Sequence, residues 1–291
     1  MKLALGTAQF GLKYGIANLA GQITRPEAKA MLQLALASDI DVLDTAIAYG
    51  ESETCLGEVG TQGFKLVTKL PALPVDCVDV YAWVQQQVNA SLSRLGVTAV
   101  YGLLLHRPEQ LLGPYGVALY QALKTLKDNG QVIKLGVSIY SPSELSALIP
   151  HYHFDLVQAP LNLIDRRLHS TGWLRRLKED GVEVHTRSVF LQGLLLMARV
   201  DIPSRLSSWN GLWKTWHQWL SDHDESAIQA SLMFPLSFPE IDRVVVGADS
   251  VSQLEQIVYA VSRRQKNDLP DLPDLQCEDE NLINPANWAS L

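Results

Sequence analysis

Short apolar runs alternate with helical patterns along this 291-residue chain. Each run is followed by a polar loop and then by a stretch in which apolar residues recur at helical spacing. Such alternation predicts a parallel sheet whose strands are joined by helical crossovers. Eight units of this kind, within about 250 residues, are typical of a single-domain (β/α)₈ barrel, the TIM barrel. The runs are LALG (3–6), DVLD (41–44), KLVTK (65–69), VYGLLLH (100–106), KLGVS (134–138), FDLVQA (154–159), VEVHTR (182–187) and RVVVGA (243–248).

Two segments depart from this alternation. The stretch from Phe190 to Asp242 is long enough for an inserted loop or helix before the last strand. The residues that follow Lys266 are rich in Pro, Asp and Asn, which predicts an irregular tail. We therefore expect a barrel domain over residues 1–266, with an insertion at about 190–242, and a tail over residues 267–291 that packs on the barrel. Apolar residues that would anchor the tail are Leu272, Leu275, Leu282, Ile283 and Trp288.

Capping signals mark where several helices begin. TRPE (24–27) and SPSE (141–144) each place a hydroxyl residue three positions before a Glu, with Pro in the first turn, which is the capping-box pattern. Helical patterns cover residues 79–95 and 117–128. Gly130, in the DNG that follows the second of these, is a typical C-terminal stop.

Composition and charge exclude several classes of function. The net charge of −7 is spread along the chain, and no Lys/Arg cluster predicts binding to nucleic acid or to an anionic membrane. Cys55, Cys77 and Cys277 lack metal-ligand spacing, so a reducing compartment is the simpler interpretation. The N-terminus has no signal-peptide apolar segment, and no run approaches the roughly 20 residues of a membrane span. We expect a cytoplasmic protein whose oligomeric state stays open.

Polar side chains end several of the apolar runs. Asp44 ends the second run, Lys69 the third and His106 the fourth, and Tyr49 lies in the loop just beyond the second. In a parallel barrel the carboxyl ends of the strands form the catalytic face. Because neighbouring strands are about 4.8 Å apart, these four side chains can converge on one point.

The chemistry that this set favours is proton transfer to an oxygen. A phenol has a pKa of about 10, and a nearby ammonium lowers it, so Lys69 would make Tyr49 a better general acid. Asp44 would pair with Lys69, and a neutral His106 would donate a hydrogen bond to the same substrate oxygen. Such a site protonates a developing alkoxide, as in carbonyl reduction. The hydride has to come from a cofactor, because no side chain carries one.

The same residues lie in motifs that resemble the aldo-keto reductase family. DTAIAYGESETCLGE (44–58) resembles the family's Asp-Thr-Ala and Tyr-Gly motifs after the second strand. VTKL (67–70) resembles its strand-three lysine motif, and LLLHRP (103–108) its strand-four histidine motif. SLSRLGV (91–97) resembles the helix before strand four. The similarity runs from Gly6 to about Ile257, which is most of the chain.

The resemblance implies an NAD(P)H-dependent oxidoreductase that reduces an aldehyde or ketone to an alcohol, or runs in reverse. Tyr49 would be the acid in reduction and the base in oxidation. Lys69 would lower its pKa, Asp44 would hold Lys69, and His106 would orient the carbonyl. The partner would be a small-molecule carbonyl or alcohol. Loop residues that favour a sugar-like or anionic compound are Tyr14, Arg107, Arg166 and Arg167.

A cofactor site can be placed by the same resemblance. No GxGxxG joins a strand to a helix, so a Rossmann site is not expected. A nicotinamide cofactor would lie across the open barrel end, with Ser138 and Gln158 on the carboxamide and Ser188 and Gln192 along the pyrophosphate. Arg187 stands where the family commonly has a stacking Tyr; it either stacks on the nicotinamide or pairs with a local carboxylate. The full set is Thr7, Asp44, Ser138, Gln158, Arg187, Ser188, Gln192, Gly247, Ala248, Asp249, Ser250, Gln253 and Gln256.

The segment after the last strand bears on the choice between cofactors. A helix that opens around Ser250 would offer its N-terminal amides as an anion site for the adenosine half. The family as a whole favours NADP(H). Asp249, in contrast, would repel a 2′-phosphate and accept a ribose hydroxyl, which favours NAD(H).

Alternative interpretations stay open. A nucleotide-sensing regulatory barrel would bind the cofactor with little turnover. A metal-dependent hydrolase needs a His-x-His on the first strand, which LALGTAQFG lacks, and HYH (151–153) precedes the sixth strand, so we expect no metal site. Tryptophans at helical spacing predict either a packed helix or a roof over the substrate; they are Trp209, Trp213, Trp216 and Trp219.

The sequence departs from the family at two further points. The usual N-terminal hairpin is missing, because LALG starts close to Met1. Tyr101 stands where the family often has Asp. Neither departure touches the four catalytic candidates.

Overall fold

The computed structural model describes residues 1–18, 20–263 and 270–291. The strands in these residues are β1 (Leu3–Gly6), β2 (Val42–Asp44), β3 (Lys65–Leu70), β4 (Val100–Leu105), β5 (Val132–Ser138), β6 (Leu156–Pro160), β7 (Glu183–Arg187) and β8 (Arg243–Val246). They are parallel, each pairs with the next along the chain, and β8 returns to β1 to close the barrel. The predicted (β/α)₈ barrel is therefore confirmed.

Helices connect the strands and cover the outside of the barrel. The α-helices of the described residues are α1 (Ala8–Gly11), α2 (Arg25–Ala37), α3 (Ser52–Val59), α4 (Val80–Leu95), α5 (Gly116–Asp128), α6 (Pro142–Leu148), α7 (Arg167–Ser170), α8 (Trp173–Glu179), α9 (Asn210–His223), α10 (Ala227–Leu236), α11 (Val251–Ser262) and α12 (Glu280–Ile283). Short 3₁₀ helices lie at Pro108–Leu112, Leu194–Leu196, Arg199–Asp201, Ser204–Trp209 and Pro285–Ser290.

Of the two predicted capping boxes, the one at α6 forms completely and the one at α2 only in part. At α6, Glu144 accepts from the backbone N–H of Ser141 at 2.7 Å, which completes that capping box. At α2, Thr24 accepts from the N–H of Glu27 at 3.4 Å. The carboxylate of Glu27 accepts instead from the backbone N–H of Val251 at 2.6 Å. The start of α2 is thereby tied to the start of α11.

The barrel interior is apolar below the level of the polar strand ends. One buried cluster takes side chains from six strands: Ala4, Val42, Val67, Leu104, Leu156 and Val245. Side chains alternate along a strand, so residues two positions further on face the same interior. Asp44 therefore follows Val42, and Lys69 follows Val67, at the carboxyl end of the barrel.

Charged and aromatic groups cover the opposite, N-terminal end of the barrel. The Tyr101 hydroxyl donates to Glu183 at 2.6 Å, and Lys134 pairs with the same carboxylate at 2.5 Å. The ammonium groups of Lys65 and Lys134 lie 5.4 and 5.5 Å from the centre of the Tyr101 ring. In the described residues no strand precedes β1, and this polar cluster lies beneath the apolar interior.

The segment between β7 and β8 contains α9 and α10. The indole N–H of Trp213 donates to the carbonyl of Leu206 at 3.0 Å, and that of Trp216 to Leu195 at 3.1 Å. Both indoles are completely buried. This arrangement matches the packed-helix interpretation, and none of the tryptophans is among the described residues that line the active-site cavity.

The described part of the C-terminal segment lies against the barrel and its insertion. Trp219 donates to the carbonyl of Asp271 at 2.9 Å, and the N–H of Cys277 donates to Ile164 at 3.0 Å. Leu272 is partly buried against the core, and the buried anchors are Leu275, Leu282, Ile283 and Trp288. Residues 264–269, which include the predicted boundary, lie outside the described residues. The division into barrel and tail stays a prediction.

Within the residues that the structure describes, no helix is both long enough and apolar enough to cross a lipid bilayer.

Candidate active site

A cavity of about 460 Å³ opens at the carboxyl ends of the strands. Its walls come from the ends of β1, β2, β4, β5, β7 and β8 and the loops that follow them, together with Gln158 of β6. Of the four catalytic candidates, Asp44, Tyr49 and His106 line it, and Lys69 lies buried behind them. The structure thus brings the three residues at the strand ends and Tyr49, from the loop after β2, to one place.

The innermost pair of this site is Lys69 and Asp44. The Lys69 ammonium lies 2.6 Å from the Asp44 carboxylate and also donates to the carbonyl of Thr45 at 2.9 Å. Both side chains are almost completely buried. Burial lowers the pKa of Lys69, and the charge and hydrogen bond of Asp44 oppose that shift.

Tyr49 and His106 lie above the pair. Their ring centroids are 5.9 Å apart in an edge arrangement, and the Lys69 ammonium is 5.2 Å from the centre of the Tyr49 ring. Burial lowers the pKa of His106 to about 4, helped by the positive charges of Lys69 and Arg187. His106 is therefore neutral near pH 7, as the sequence argument required.

The expectation that Lys69 lowers the pKa of Tyr49 is not met in this structure. Burial raises the pKa of Tyr49 well above its ordinary value, and the charge of Asp44 adds to the rise. The cation that opposes them is Arg187. Lys69, which is paired with Asp44 at 2.6 Å, is not among the charges that lower this pKa. Near pH 7 the phenol of Tyr49 is therefore protonated.

Gln158 and Ser138 extend the polar chain across the barrel. The Gln158 amide donates to the second oxygen of Asp44 at 2.7 Å, and the Ser138 hydroxyl donates to the Gln158 carbonyl at 3.1 Å. Both residues line the cavity. An amide has two N–H groups and its oxygen two lone pairs, so Gln158 keeps one donor and one acceptor for a ligand.

Arg187 reaches the cavity from the end of β7. Its guanidinium donates to the carbonyl of Ile139 at 2.9 Å and to the Ser188 hydroxyl at 3.1 Å, and it lies 4.5 Å from the centre of the Tyr140 ring. It forms no ion pair with a carboxylate of the described residues. The alternative in which Arg187 pairs with a local carboxylate is therefore wrong for this structure. The planar guanidinium is available to a ligand.

The loop after β7 has an unusual backbone. Ser188, Leu191 and Gln192 have φ values of 62°, 47° and 55°, the left-handed region that side-chain-bearing residues rarely adopt. Such conformations cost about 1–3 kcal/mol each and cluster at functional sites. Ser188 and Gln192 both line the cavity here. A Cβ atom at Gly193 would lie 2.6 Å from the Cβ of Ala17, so this loop touches the loop after β1 closely.

The far end of the cavity is formed by the segment after β8. Gly247, Asp249, Gln253 and Gln256 line the cavity there. Thr7, just after β1, also lines the cavity, and its hydroxyl donates to the carbonyl of Asp44 at 3.0 Å. Two predicted cofactor residues do not line the cavity: Ala248 is buried in the core, and Ser250 caps α11 by accepting from the N–H of Gln253 at 3.2 Å.

The predicted anion site at the start of α11 is wrong in one respect. Its first amide, on Val251, already donates to the carboxylate of Glu27, and the amide of Gln253 donates to Ser250. These groups are therefore not available to a ligand phosphate in this structure.

Sequence reasoning missed part of the lining. Gln9, Asn18 and Tyr140 line the cavity, but none belongs to a strand-end motif and no local pattern marks them. Tyr14 lines it as expected for a substrate-loop residue. Of the suggested arginines, Arg166 donates to backbone carbonyls and Arg167 pairs with Asp165 and Glu280; with Arg107 they lie outside the lining.

The cavity suits a nicotinamide dinucleotide. Hydrogen-bonding side chains, both neutral and charged, lie at the Tyr49 end, and glycines in the lining, such as Gly15 and Gly247, allow a ligand to approach the backbone. In the part of the chain that the structure covers, no group of three or more His, Cys, Asp or Glu side chains could hold a metal ion.

Acid is expected to destabilise the protein through His106. Its pKa is about 4 when folded against an ordinary 6.5, so the unfolded chain takes up the proton first. The stability that this residue contributes is present above pH 6.5 and is lost as the pH falls towards 4. The free energy of unfolding, measured in urea at pH 7 and at pH 5, should decrease less between these pH values in His106→Gln than in the wild type. His153 is exposed, so His153→Gln serves as the control variant. An equal decrease in the wild type, His106→Gln and His153→Gln would contradict the role of His106 in acid destabilisation.

Comparison with known proteins agrees with this site. A model of the aldo/keto reductase family matches residues 2–269. The chain is 24% identical over 285 residues to the uncharacterized oxidoreductase YqkF of Bacillus subtilis, covering 91% of this chain and 92% of that one. It is 32% identical over 161 residues to 6-dehydroglucose reductase of Novosphingobium aromaticivorans, covering 49% and 52%.

A solved structure has the same fold. The holo form of the aldo-keto reductase AKR11C1 from Bacillus halodurans superposes with a TM-score of 0.75 at 21% identity, over 91% of this chain and 88% of that one. With the family match over nearly the whole sequence, this leads to one assignment: the chain belongs to the aldo/keto reductase family, whose members are NAD(P)-dependent oxidoreductases that act on small-molecule carbonyl substrates.

Proposed function

We propose that this chain reduces an aldehyde or ketone to the alcohol, or oxidises the alcohol, with Tyr49 as the general acid and base. The observation that carries the proposal is the buried Lys69–Asp44 pair beneath the Tyr49 phenol, with neutral His106 edge-on to the phenol at 5.9 Å. Asp44, Tyr49 and His106 line a cavity that suits the cofactor, and Lys69 lies buried behind them.

Each residue has a distinct role in the proposed reaction. When bound, a nicotinamide cofactor would supply the hydride in reduction and accept it in oxidation. His106, being neutral, donates one ring N–H to the carbonyl oxygen and fixes its position. Tyr49 then gives its proton to that oxygen as negative charge develops. The raised pKa of Tyr49 keeps the proton in place until the alkoxide forms.

Lys69 and Asp44 act through position rather than by contact with the substrate. The ammonium lies against the Tyr49 ring, 5.2 Å from its centre, and is held there by Asp44 and by the carbonyl of Thr45. Because Arg187 opposes the rise in the Tyr49 pKa, it also eases proton release. Arg187 is thus a candidate for tuning the acid, in addition to binding the ligand.

For the substrate we propose a hydroxylated, sugar-like carbonyl compound. Hydrogen-bonding side chains line the cavity near Tyr49, among them Tyr14, Tyr140, Arg187 and Gln192. Such groups favour a ligand that carries several hydroxyls, since a bare alkyl aldehyde would leave them unpaired. The relative named 6-dehydroglucose reductase, which matches about half of this chain, supports the same class.

Cofactor titration followed by turnover tests the proposal. NADH and NADPH are each titrated into the protein while nicotinamide fluorescence is followed. Oxidation of the better cofactor is then measured with hydroxylated aldehydes and ketones and, as the matched control, with alkyl aldehydes of similar length. We expect saturable binding and faster turnover of the hydroxylated compounds. Binding without turnover of any carbonyl compound would favour the regulatory barrel instead.

A further inference from the structure

The reacting end of the cavity, around Tyr49 and His106, carries one uncompensated positive charge. Lys69 and Asp44 neutralise each other at 2.6 Å, and His106 is neutral near pH 7 because burial lowers its pKa to about 4. Arg187 is the one Lys or Arg side chain among the described residues that line the cavity. Its charge acts on the pKa values of Tyr49 and His106, which places it at this end.

The guanidinium of Arg187 is held in a fixed position. It donates to the carbonyl of Ile139 at 2.9 Å and to the hydroxyl of Ser188 at 3.1 Å. It also lies 4.5 Å from the centre of the Tyr140 ring, and the backbone carbonyl of Arg187 accepts from the N–H of Leu161 at 3.2 Å. Because the cation is ordered before a ligand arrives, little side-chain freedom is lost on binding.

Part of this guanidinium stays free for a ligand. A guanidinium has five N–H groups, and the two hydrogen bonds from Arg187 leave others unused. In the part of the chain that the structure describes, no carboxylate pairs with Arg187. The carboxylates of the lining belong to Asp44, which is paired with Lys69, and to Asp249, which lies after β8. A partly buried cation without a counter-ion favours an anionic ligand.

We propose that Arg187 is a specificity-determining residue that binds a carboxylate group on the carbonyl substrate. This narrows the substrate class to hydroxylated aldehydes or ketones that also carry a carboxylate. The inference rests on the proposed function, in which the carbonyl oxygen of the substrate lies at Tyr49 and His106. With the carbonyl group there, the carboxylate would lie at Arg187.

A carboxylate fits this cation better than a phosphate monoester does. Two parallel N–H groups of a guanidinium match the two oxygens of a carboxylate in a bidentate pair. One carboxylate also carries one negative charge, which Arg187 can balance. A phosphate monoester carries a charge of about −1.5 to −2 at pH 7, so part of its charge would stay uncompensated at this site.

The gain is expected in substrate affinity rather than in the rate of the chemical step. Arg187 opposes the raised pKa of Tyr49, and a carboxylate bound to Arg187 would offset that effect. Tyr49 would therefore be no stronger an acid with a charged substrate than with a neutral one. We expect the carboxylate to lower the Michaelis constant and to leave the turnover number similar.

Matched pairs of substrates isolate the effect of charge. Glyoxylate, succinic semialdehyde and glucuronate place an aldehyde and a carboxylate at increasing separation, and the carboxamide of each keeps the shape without the charge. Glucose 6-phosphate tests the phosphate. With the better nicotinamide cofactor at saturation, the wild type should have a Michaelis constant at least about tenfold lower for the carboxylate in at least one pair, the scale of a charge-assisted hydrogen bond. Added salt should narrow the difference.

Three variants assign this preference to Arg187. Arg187→Gln keeps an N–H for the carbonyl of Ile139 and removes the charge, so carboxylate and carboxamide should have similar Michaelis constants. Arg187→Lys keeps the charge without the planar fork and should retain part of the preference. Arg107→Gln is the matched control, because Arg107 is exposed and adjacent to His106 but lies outside the lining. This variant should keep the wild-type ratio.

Two binding and folding measurements accompany the kinetics. The dissociation constants of NADH and NADPH are measured by nicotinamide fluorescence for the wild type and each variant, and we expect little change. Thermal unfolding checks that each variant is folded. Should Arg187→Gln not fold, Arg187→Lys decides the question, since an undiminished preference in that variant would overturn the inference.

Different failures of this test have different meanings. If no wild-type pair favours the carboxylate, if salt has no effect on the preference, or if glucose 6-phosphate has a lower Michaelis constant than glucuronate, the inference is overturned and the reductase function stands. If Arg187→Gln weakens both nucleotides and raises the Michaelis constants of carboxylate and carboxamide alike, the guanidinium serves the cofactor, which also overturns the inference. The same holds if Arg107→Gln loses the preference equally. If no carbonyl compound is turned over, the proposed function itself is overturned.

Discussion

Tyr49→Phe is expected to slow carbonyl reduction by about 10²–10⁴-fold, the usual contribution of a general acid. The change removes one hydroxyl and keeps the ring that packs against His106 and the Lys69 ammonium. Cofactor affinity should therefore be nearly unchanged. Steady-state rates with the best substrate and fluorescence titration with NADH and with NADPH measure the two quantities.

A second phenol in the cavity provides the control for this variant. Tyr14 lines the same cavity, and burial also raises its pKa, but it comes from the loop after β1. Tyr14→Phe should change the Michaelis constant more than the turnover number, because its proposed role is substrate contact. If Tyr49→Phe and Tyr14→Phe lowered the turnover number equally, this would contradict the assignment of Tyr49 as the general acid.

Lys69→Met is expected to lower the free energy of unfolding by about 3–5 kcal/mol, because it leaves a buried carboxylate unpaired. The two side chains are 1% and 6% exposed, and their charged atoms are 2.6 Å apart. Little solvent can therefore replace the lost partner of Asp44. Equilibrium unfolding in urea measures the difference from the wild type.

Two further variants separate this effect from a loss of packing. In Asp44→Asn with Lys69→Met the unpaired charge is gone, so much of the lost stability should return. Lys127→Met breaks a more exposed pair with Asp155, whose side chains are 39% and 24% exposed, and should cost no more than about 1 kcal/mol. Similar costs for Lys69→Met and Lys127→Met would mean that burial of the charge does not matter.

The barrel and the location of its site follow from local patterns. Alternation of apolar runs with helical stretches needs only neighbouring residues, and so does the recognition of polar residues at strand ends. Parallel pairing then forces Asp44, Lys69 and His106 to one face, since all strands point the same way. For this reason these three residues, which are far apart in the sequence, could be assigned to one site from the sequence alone.

Other features could not be predicted because they depend on contacts between distant parts of the chain. Glu27 meets Val251 and Asn18 meets Asp249, across separations of 224 and 231 residues. In the sequence Glu27 looks like half of a capping box, and Asn18 like a turn residue. The direction of the Tyr49 pKa shift was also missed, since it depends on how deeply the phenol is buried and on the charge of Asp44.

The carboxylate of Asp44 has a consequence for how the chain folds. One of its oxygens binds Lys69, from the same half of the barrel, and the other binds Gln158, which is 114 residues further along. A fragment holding only the first four strand–helix units would keep the ammonium but lose the amide. The sheet also keeps an open edge until the last strand, β8, pairs with the first strand, β1. The two halves of this barrel are therefore expected to be poor independent folding units, and the chain to acquire its native structure cooperatively, after most of it has been synthesised.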